Sequence, residues 1–194
     1  MKLCGLTGSV GMGKSTAAGF LSQLGIRVVD TDEIARELVQ PGRPALLEIQ
    51  SEFGTDIVTP AGELKRDQLA RLVFADASAR KKLEDILHPR IRENWLQQVA
   101  NWRQEGCPVA VVVIPLLFES QTETLFDHVI CIACSPAAQQ ERLHARGWTP
   151  DQIGQRIAAQ LPVAEKISRS RFVIWTEGTP EIHRQQLQQI LEKL

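Results

Sequence analysis

Gly8, Gly13, Lys14 and Ser15 stand at the spacing G-x-x-x-x-G-K-[ST], with Gly11 as a further glycine between them. That set of residue types is suited to holding phosphate. Glycines permit positive φ and close approach of the backbone, so successive N–H groups can turn inward around an anion. A helix starting near Gly13 would add its unpaired N–H groups and the positive end of its dipole. Lys14 brings a mobile positive charge for the outer phosphates, and the Ser15 hydroxyl stands where it can ligate an accompanying Mg²⁺. The bland alternative is a glycine-rich turn that matches by chance. The apolar run from Leu3 to Leu6 before the loop and the Ala17, Ala18, Phe20, Leu21, Leu24 stripe after it favour the phosphate reading, with Gly8, Gly11, Met12, Gly13, Lys14, Ser15 and Thr16 around the nucleotide.

A phosphate loop does not by itself separate kinases from GTPases, motors or switches. No N/T-K-x-D segment for reading guanine occurs in the chain, and the best central strand ends in Ile114-Pro115 rather than in an acid. Asp30-Thr31-Asp32 follows a second strand, at the end where parallel sheets gather their active sites. On spacing alone Asp32 suits a general base and a helix cap equally. Arg142 and Arg146 lie one helical turn apart, and Arg156, Lys166, Arg169 and Arg171 follow. They read either as a solvated basic face or as a lid that closes guanidinium groups onto a transferring phosphoryl group. His88, before Pro89, and Glu119 are further candidates, each with an ordinary structural role as the alternative.

The elements needed to position these groups are visible in the apolar patterning. Strand, loop, helix and a second strand at Ile26–Asp30 form a βαβ unit, which implies a parallel sheet covered by helices. Val109–Ile114 and Val129–Cys134 are apolar on both faces and β-branched, as central parallel strands are. Phe172–Trp175 reads as a last short strand, with an amphipathic helix from Pro180 to Leu194. Helices are expected over Thr31–Val39, over Pro44–Phe53, from Ser135-Pro136 to Gly147, and from Thr149-Pro150 to Leu161. The stretch from Thr55 to Glu105 is mostly helical, with Pro89 starting a new helix that ends at Gly106. The expected organisation is a nucleotide-binding core over 1–54 and 107–194, with a lid at about 137–170, and a helical acceptor-binding insertion over 55–106.

Composition narrows the class further. A formal net charge of −1, with 23% charged residues, supplies no basic field for nucleic acid. Four cysteines, three of them inside apolar runs, fit reduced buried thiols; Cys131-x-x-Cys134 has the spacing of a redox or zinc pair but no second pair to complete a site. No apolar run is long enough to span a bilayer, and a strand begins at once, so the chain reads as cytoplasmic. A monomer or weak homo-oligomer is expected.

Taken together, Gly8 to Thr16, Asp30-Thr31-Asp32-Glu33-Ile34-Ala35-Arg36, Leu87-His88-Pro89, Pro115-Leu116-Leu117-Phe118-Glu119, and Arg142-Leu143 with Arg146 resemble the dephospho-CoA kinase family in order and spacing. The resemblance implies a P-loop kinase with a parallel sheet flanked by helices, a helical substrate domain and a lid. It implies transfer of the γ-phosphoryl of ATP to the ribose 3′-hydroxyl of dephospho-CoA, the last step of coenzyme A synthesis, with Mg²⁺ held by the phosphates and Ser15. Asp32 then becomes the general base, Lys14 and Arg142 stabilise the phosphoryl charge, Arg146 joins the ATP side, and Thr7, Arg36, His88 and Glu119 belong to the acceptor side. The alternatives are a P-loop kinase of another small metabolite or nucleoside monophosphate, or a non-catalytic nucleotide switch. Two departures stand out. Where the family commonly has Ala-Asp before the last strand and Asn after it, this chain has Ser170-Arg171 and Trp175-Thr176, in the region that borders the adenine.

Overall fold

Five parallel strands form one sheet in the order β2-β3-β1-β4-β5, in a computed structural model that describes residues 1–194. In chain order the first half contains β1 (Lys2–Thr7), α1 (Lys14–Gln23), β2 (Arg27–Asp30), α2 (Thr31–Leu38), α3 (Pro44–Phe53), α4 (Arg66–Ala75) and α5 (Ala77–Gln104). The second half contains β3 (Val109–Val113), β4 (His128–Ala133), α6 (Pro136–Ala145), α7 (Pro150–Ala158), α8 (Val163–Ser168), β5 (Phe172–Trp175) and α9 (Pro180–Leu191). β1 is central, with Gly5 in register with Val112 on one side and Val129 on the other. Strands buried on both faces need apolar residues at successive positions, and β3 and β4 supply them.

The chain divides into two compact units: Met1–Asp30 with Asn101–Leu194, and Thr31–Ala100. In the first, Cys4, Leu6, Val111, Val113, Ile130, Ile132 and Ile174 of the sheet pack with Ala17 and Leu21 of α1 and Leu187 and Ile190 of α9. This fixes the helix after the phosphate loop to the sheet. In the second, Val39, Ala45, Ile49, Ile57, Leu69, Val73 and Ile86 form one apolar cluster. That shared cluster is why the unit takes in α2 and α3 together with the residues from 55 to 100.

Sequence reading expects Pro89 to open a helix, yet α5 runs unbroken from Ala77 to Gln104 with Pro89 inside it. An interior proline removes one hydrogen bond and costs about 3 kcal/mol. Packing outweighs that here, since Ile86 lies in the cluster, and Trp95 and Val99 are buried further along. Arg90 also ties the region down, with Nη1 donating to Ile86 O at 2.5 Å and Nη2 2.6 Å from Glu48 of α3.

All four cysteines are free thiols. Burial pushes Cys4 and Cys131 up to about 11 and raises Cys134 as well. At pH 8 a thiol with pKa about 11 is roughly 0.1% thiolate, so it reacts slowly. We therefore expect iodoacetamide at pH 8 to modify only the half-buried Cys107 of the native chain, and all four cysteines in denaturant. Rapid labelling of all four in native protein, followed by mass spectrometry, would contradict this account of the sheet. The burial of both thiols also counts against Cys131-x-x-Cys134 as a reactive pair.

Candidate active site

The loop from Gly8 to Gly13 joins the end of β1 to α1, and Gly8, Gly11 and Gly13 all take positive φ, at 144°, 78° and 96°. Gly13 serves as the N-cap of α1 and has no side chain with which to cap the first N–H groups of the helix. Lys14 Nζ lies over the loop and donates to Gly8 O at 2.9 Å and Ser9 O at 3.1 Å. Ser15 and Thr16 are exposed in the first turn of α1.

The loop is braced from outside by three side chains, of which the sequence marks only Thr176, as a departure from the family pattern. Gln139 of α6 donates to Val10 O at 2.7 Å, and Gln160, just after α7, accepts from Val10 N at 2.9 Å. Thr176, the first residue after β5, donates through Oγ1 to Met12 O at 3.0 Å. A Cβ on Gly11 would stand 2.9 Å from Leu143 Cγ, which measures how closely α6 approaches the loop. The two glutamine contacts have no motif, because each pairs an unremarkable polar side chain with a backbone atom distant in sequence.

Arg142 of α6 donates from Nη1 to Thr176 Oγ1 at 2.8 Å and from Nη2 to Thr176 O at 2.6 Å. Thr176 thus joins the end of the last strand, the phosphate loop and the arginine in one network. A cavity of about 380 Å³ lies beside it, walled by Gly11, Gly13 and Thr16, by Arg142 and Arg146, and by Thr176, Gly178, Thr179 and His183. His183 on α9 is 6% exposed, and its Nε2 is buried with no hydrogen-bond partner. Burial, reinforced by the charge of Arg142, holds its pKa below the ordinary histidine range.

The other cations do not gather at the loop. Lys166 is completely buried, with Nζ 2.8 Å from both Glu119 Oε1 and Pro115 O. Arg169 pairs with Glu123 and Glu165, Arg156 lies over the Trp148 ring at 4.1 Å, and Arg171 lies over Phe172 at 5.8 Å. Of the six basic residues noted in the sequence, Arg142 and Arg146 alone line the cavity. Glu119 Oε1 also accepts from Leu161 N at 2.8 Å, so this carboxylate fastens the stretch between α7 and α8 to the segment that follows β3. Thr7 is fully buried, and its hydroxyl donates to the same Pro115 carbonyl at 3.2 Å.

Asp32, Arg36 and His88 belong to the second unit, where all three are exposed. Asp32 is the second residue of α2, which starts directly after Asp30 ends β2. Arg36 follows one turn later on the same helical face. No group of three or more His, Cys, Asp and Glu side chains is arranged to hold a metal ion. The exposed Ser15 hydroxyl, in contrast, fits the one-ligand role a protein plays for Mg²⁺ that arrives on phosphates.

A parallel sheet whose central strand leads into this loop and α1 defines a P-loop kinase fold, one that solved shikimate kinases share: that of Aquifex aeolicus covers 98% of this chain with a TM-score of 0.54 at 16% identity. A sequence profile of dephospho-CoA kinases matches residues 2–181, and the chain belongs to the dephospho-CoA kinase family. It is 40% identical to the dephospho-CoA kinase of Geobacter sulfurreducens over 194 residues, covering 100% of this chain and 98% of that protein. It is 43% identical to that of Anaeromyxobacter dehalogenans over 182 residues, 93% and 86% of the two chains. The crystal structure of TT1252 from Thermus thermophilus superposes with a TM-score of 0.85 at 31% identity, covering 100% of this chain and 97% of that one.

Proposed function

We infer that the chain transfers the γ-phosphoryl group of ATP to the ribose 3′-hydroxyl of dephospho-CoA, giving coenzyme A and ADP in the last step of coenzyme A synthesis. The observation that carries this reading is the phosphate loop braced at the end of the central strand in a chain of this family. ATP lies with its phosphates against Gly8 to Thr16 and its base in the cavity beside Arg142 and Arg146. Arg142 has five N–H donors; the two bonds to Thr176 leave three for phosphate oxygens. Lys14 exchanges its two loop carbonyls for the outer phosphates, whose charge makes them better acceptors. Mg²⁺, when bound with the nucleotide, neutralises phosphate charge, and Ser15 is its ligand from the chain.

Asp32 takes the proton of the 3′-hydroxyl as the oxygen attacks phosphorus, and ADP leaves from the opposite side. Thr7, Arg36, His88 and Glu119 bind the acceptor. The helical insertion, within 55–106, forms the acceptor-binding part, and a lid within 137–170 closes over ATP. Four free thiols suit a reducing cytoplasm, where the chain acts as a monomer or weak homo-oligomer. No helix is long and apolar enough to cross a membrane.

A coupled ADP-release assay tests the reaction. ADP should form with dephospho-CoA and not with shikimate, nucleoside monophosphates or water as acceptor. Absence of turnover with dephospho-CoA would overturn the reading.

A further inference from the structure

His183 presents a problem that the phosphotransfer chemistry leaves unanswered. A ring nitrogen buried without a partner is costly to the fold and calls for an explanation. His183 sits in α9 at the wall of the cavity beside the phosphate loop. Its ring is fixed by an edge-to-face contact with Phe20 of α1, centroids 5.4 Å apart at 87°. Two of the polar groups that line the same cavity are bonded elsewhere: Arg142 donates to Thr176, and the Thr176 hydroxyl donates to Met12 O. His183 lines the cavity, and its Nε2 is a buried polar atom left without a bond.

We propose that His183 reads the base of the nucleotide, with Nε2 hydrogen-bonded to the edge of the purine seated in this cavity. This rests on the cavity being the ATP base site, as the function above requires. The cavity, at about 380 Å³, falls in the lower part of the usual ligand-pocket range of ~300–1,000 Å³. Burial and the nearby guanidinium keep the imidazole neutral at physiological pH, so the ring offers one donor and one acceptor nitrogen rather than two donors. A neutral, fixed ring of that kind can tell adenine from guanine, whose six-position carries an acceptor in place of a donor. It would also supply recognition by a side chain in the region where Thr176 replaces the family's asparagine.

The test uses the full chain and measures nucleotide binding by calorimetry without acceptor, followed by steady-state kinetics. His183→Leu fills the same space with apolar atoms and removes the unsatisfied nitrogen, so its melting temperature should equal or exceed that of the native chain. ATP affinity should nonetheless fall about tenfold, the scale of one lost hydrogen bond. KM for ATP should rise with it while kcat stays within about twofold. Inorganic tripolyphosphate, which has no base, should bind both proteins equally. Purine riboside triphosphate and 7-deaza-ATP identify the atom contacted, because the variant should lose nothing against whichever analogue lacks it. His183→Gln, with a polar atom near the position of Nε2, should restore part of the affinity. Equal ATP affinity in the native and Leu chains, or an equal loss for tripolyphosphate, overturns the proposal. Failure of the native chain to phosphorylate dephospho-CoA, with ATP binding intact, would overturn the acceptor assignment and leave this one standing.

Discussion

Asp32→Asn should lower kcat by two orders of magnitude or more, with little change in KM for ATP and a small change in stability. Removing a positioned general base costs roughly 10²- to 10⁴-fold in rate. The competing role, a carboxylate favouring the positive end of α2, is worth only about 0.3–1 kcal/mol at an exposed position. Asp32 is exposed in the first turn of that helix, and Glu33 beside it also supplies a first-turn charge. Asparagine keeps the size and most of the hydrogen-bonding capacity while losing proton affinity. The two roles therefore separate cleanly. A general base gives a large loss of rate with a near-native melting curve, and a helix-terminal charge gives the reverse. Thermal melting and single-turnover phosphoryl transfer on the same preparation decide it, and an unchanged kcat would remove Asp32 from the chemistry.

Much of the core was legible because it rests on local chemistry. The β1–loop–α1 unit follows from glycines, a lysine and a serine at fixed spacing, and β3 and β4 follow from apolar residues on both faces. Proline and glycine punctuation marks α3, whose Pro44 stands at its first turn and Gly54 just past its end. What could not be read depends on partners distant in the chain. Lys166 looks like one member of a basic face, yet it is fully buried because Glu119 and Pro115 receive its charge. The same effect removes Arg169 from any phosphate-facing set, since Glu123 and Glu165 hold it. Pro89 reads as a boundary because its local cost is real, and only packing reveals that the helix continues.

Thr176 carries this lesson to the site itself. As a departure from the family's usual asparagine it stands out in the sequence, but the sequence does not disclose what the residue does. Its hydroxyl accepts from Arg142 and donates to Met12 O, so it couples the arginine to the phosphate loop through a single oxygen. The loop is thus held by three side chains, Gln139, Gln160 and Thr176, from three different segments of the same unit. A loop that must present its N–H groups to phosphate is more useful rigid, because ordering it on binding would subtract from affinity.

The rigidity of that loop leads to the other large expected effect, at Gly8. Its φ of 144° is a conformation that residues with a Cβ rarely adopt, and an added Cβ would stand 2.3 Å from Ile132 O and 3.2 Å from Ile132 C. Ile132 lies within β4 between Cys131, which pairs with Thr7 of β1, and Ala133, whose carbonyl accepts from Thr176 N beside β5, so its carbonyl cannot retreat without disturbing the sheet. The chain must therefore move the loop away from β4 or part β4 from β1. Strain of this kind costs on the order of 3 kcal/mol or more, which for a chain of this length lowers Tm by roughly 10 °C. Gly8→Ala should also lose ATP binding, because the displaced carbonyl and N–H groups are those that Lys14 and the phosphates use. Gly19→Ala supplies the contrast within the same βα unit. Gly19 lies mid-helix on α1 with nothing within 4 Å of an added Cβ, so alanine should stabilise the chain by about 0.5–1 kcal/mol. If Gly8→Ala and Gly19→Ala melted alike and bound ATP alike, the close approach of loop to β4 would not be what shapes the phosphate site. An opposite shift in Tm for the two alanines, with ATP affinity lost in the first alone, would tie the anion-binding geometry to that single contact.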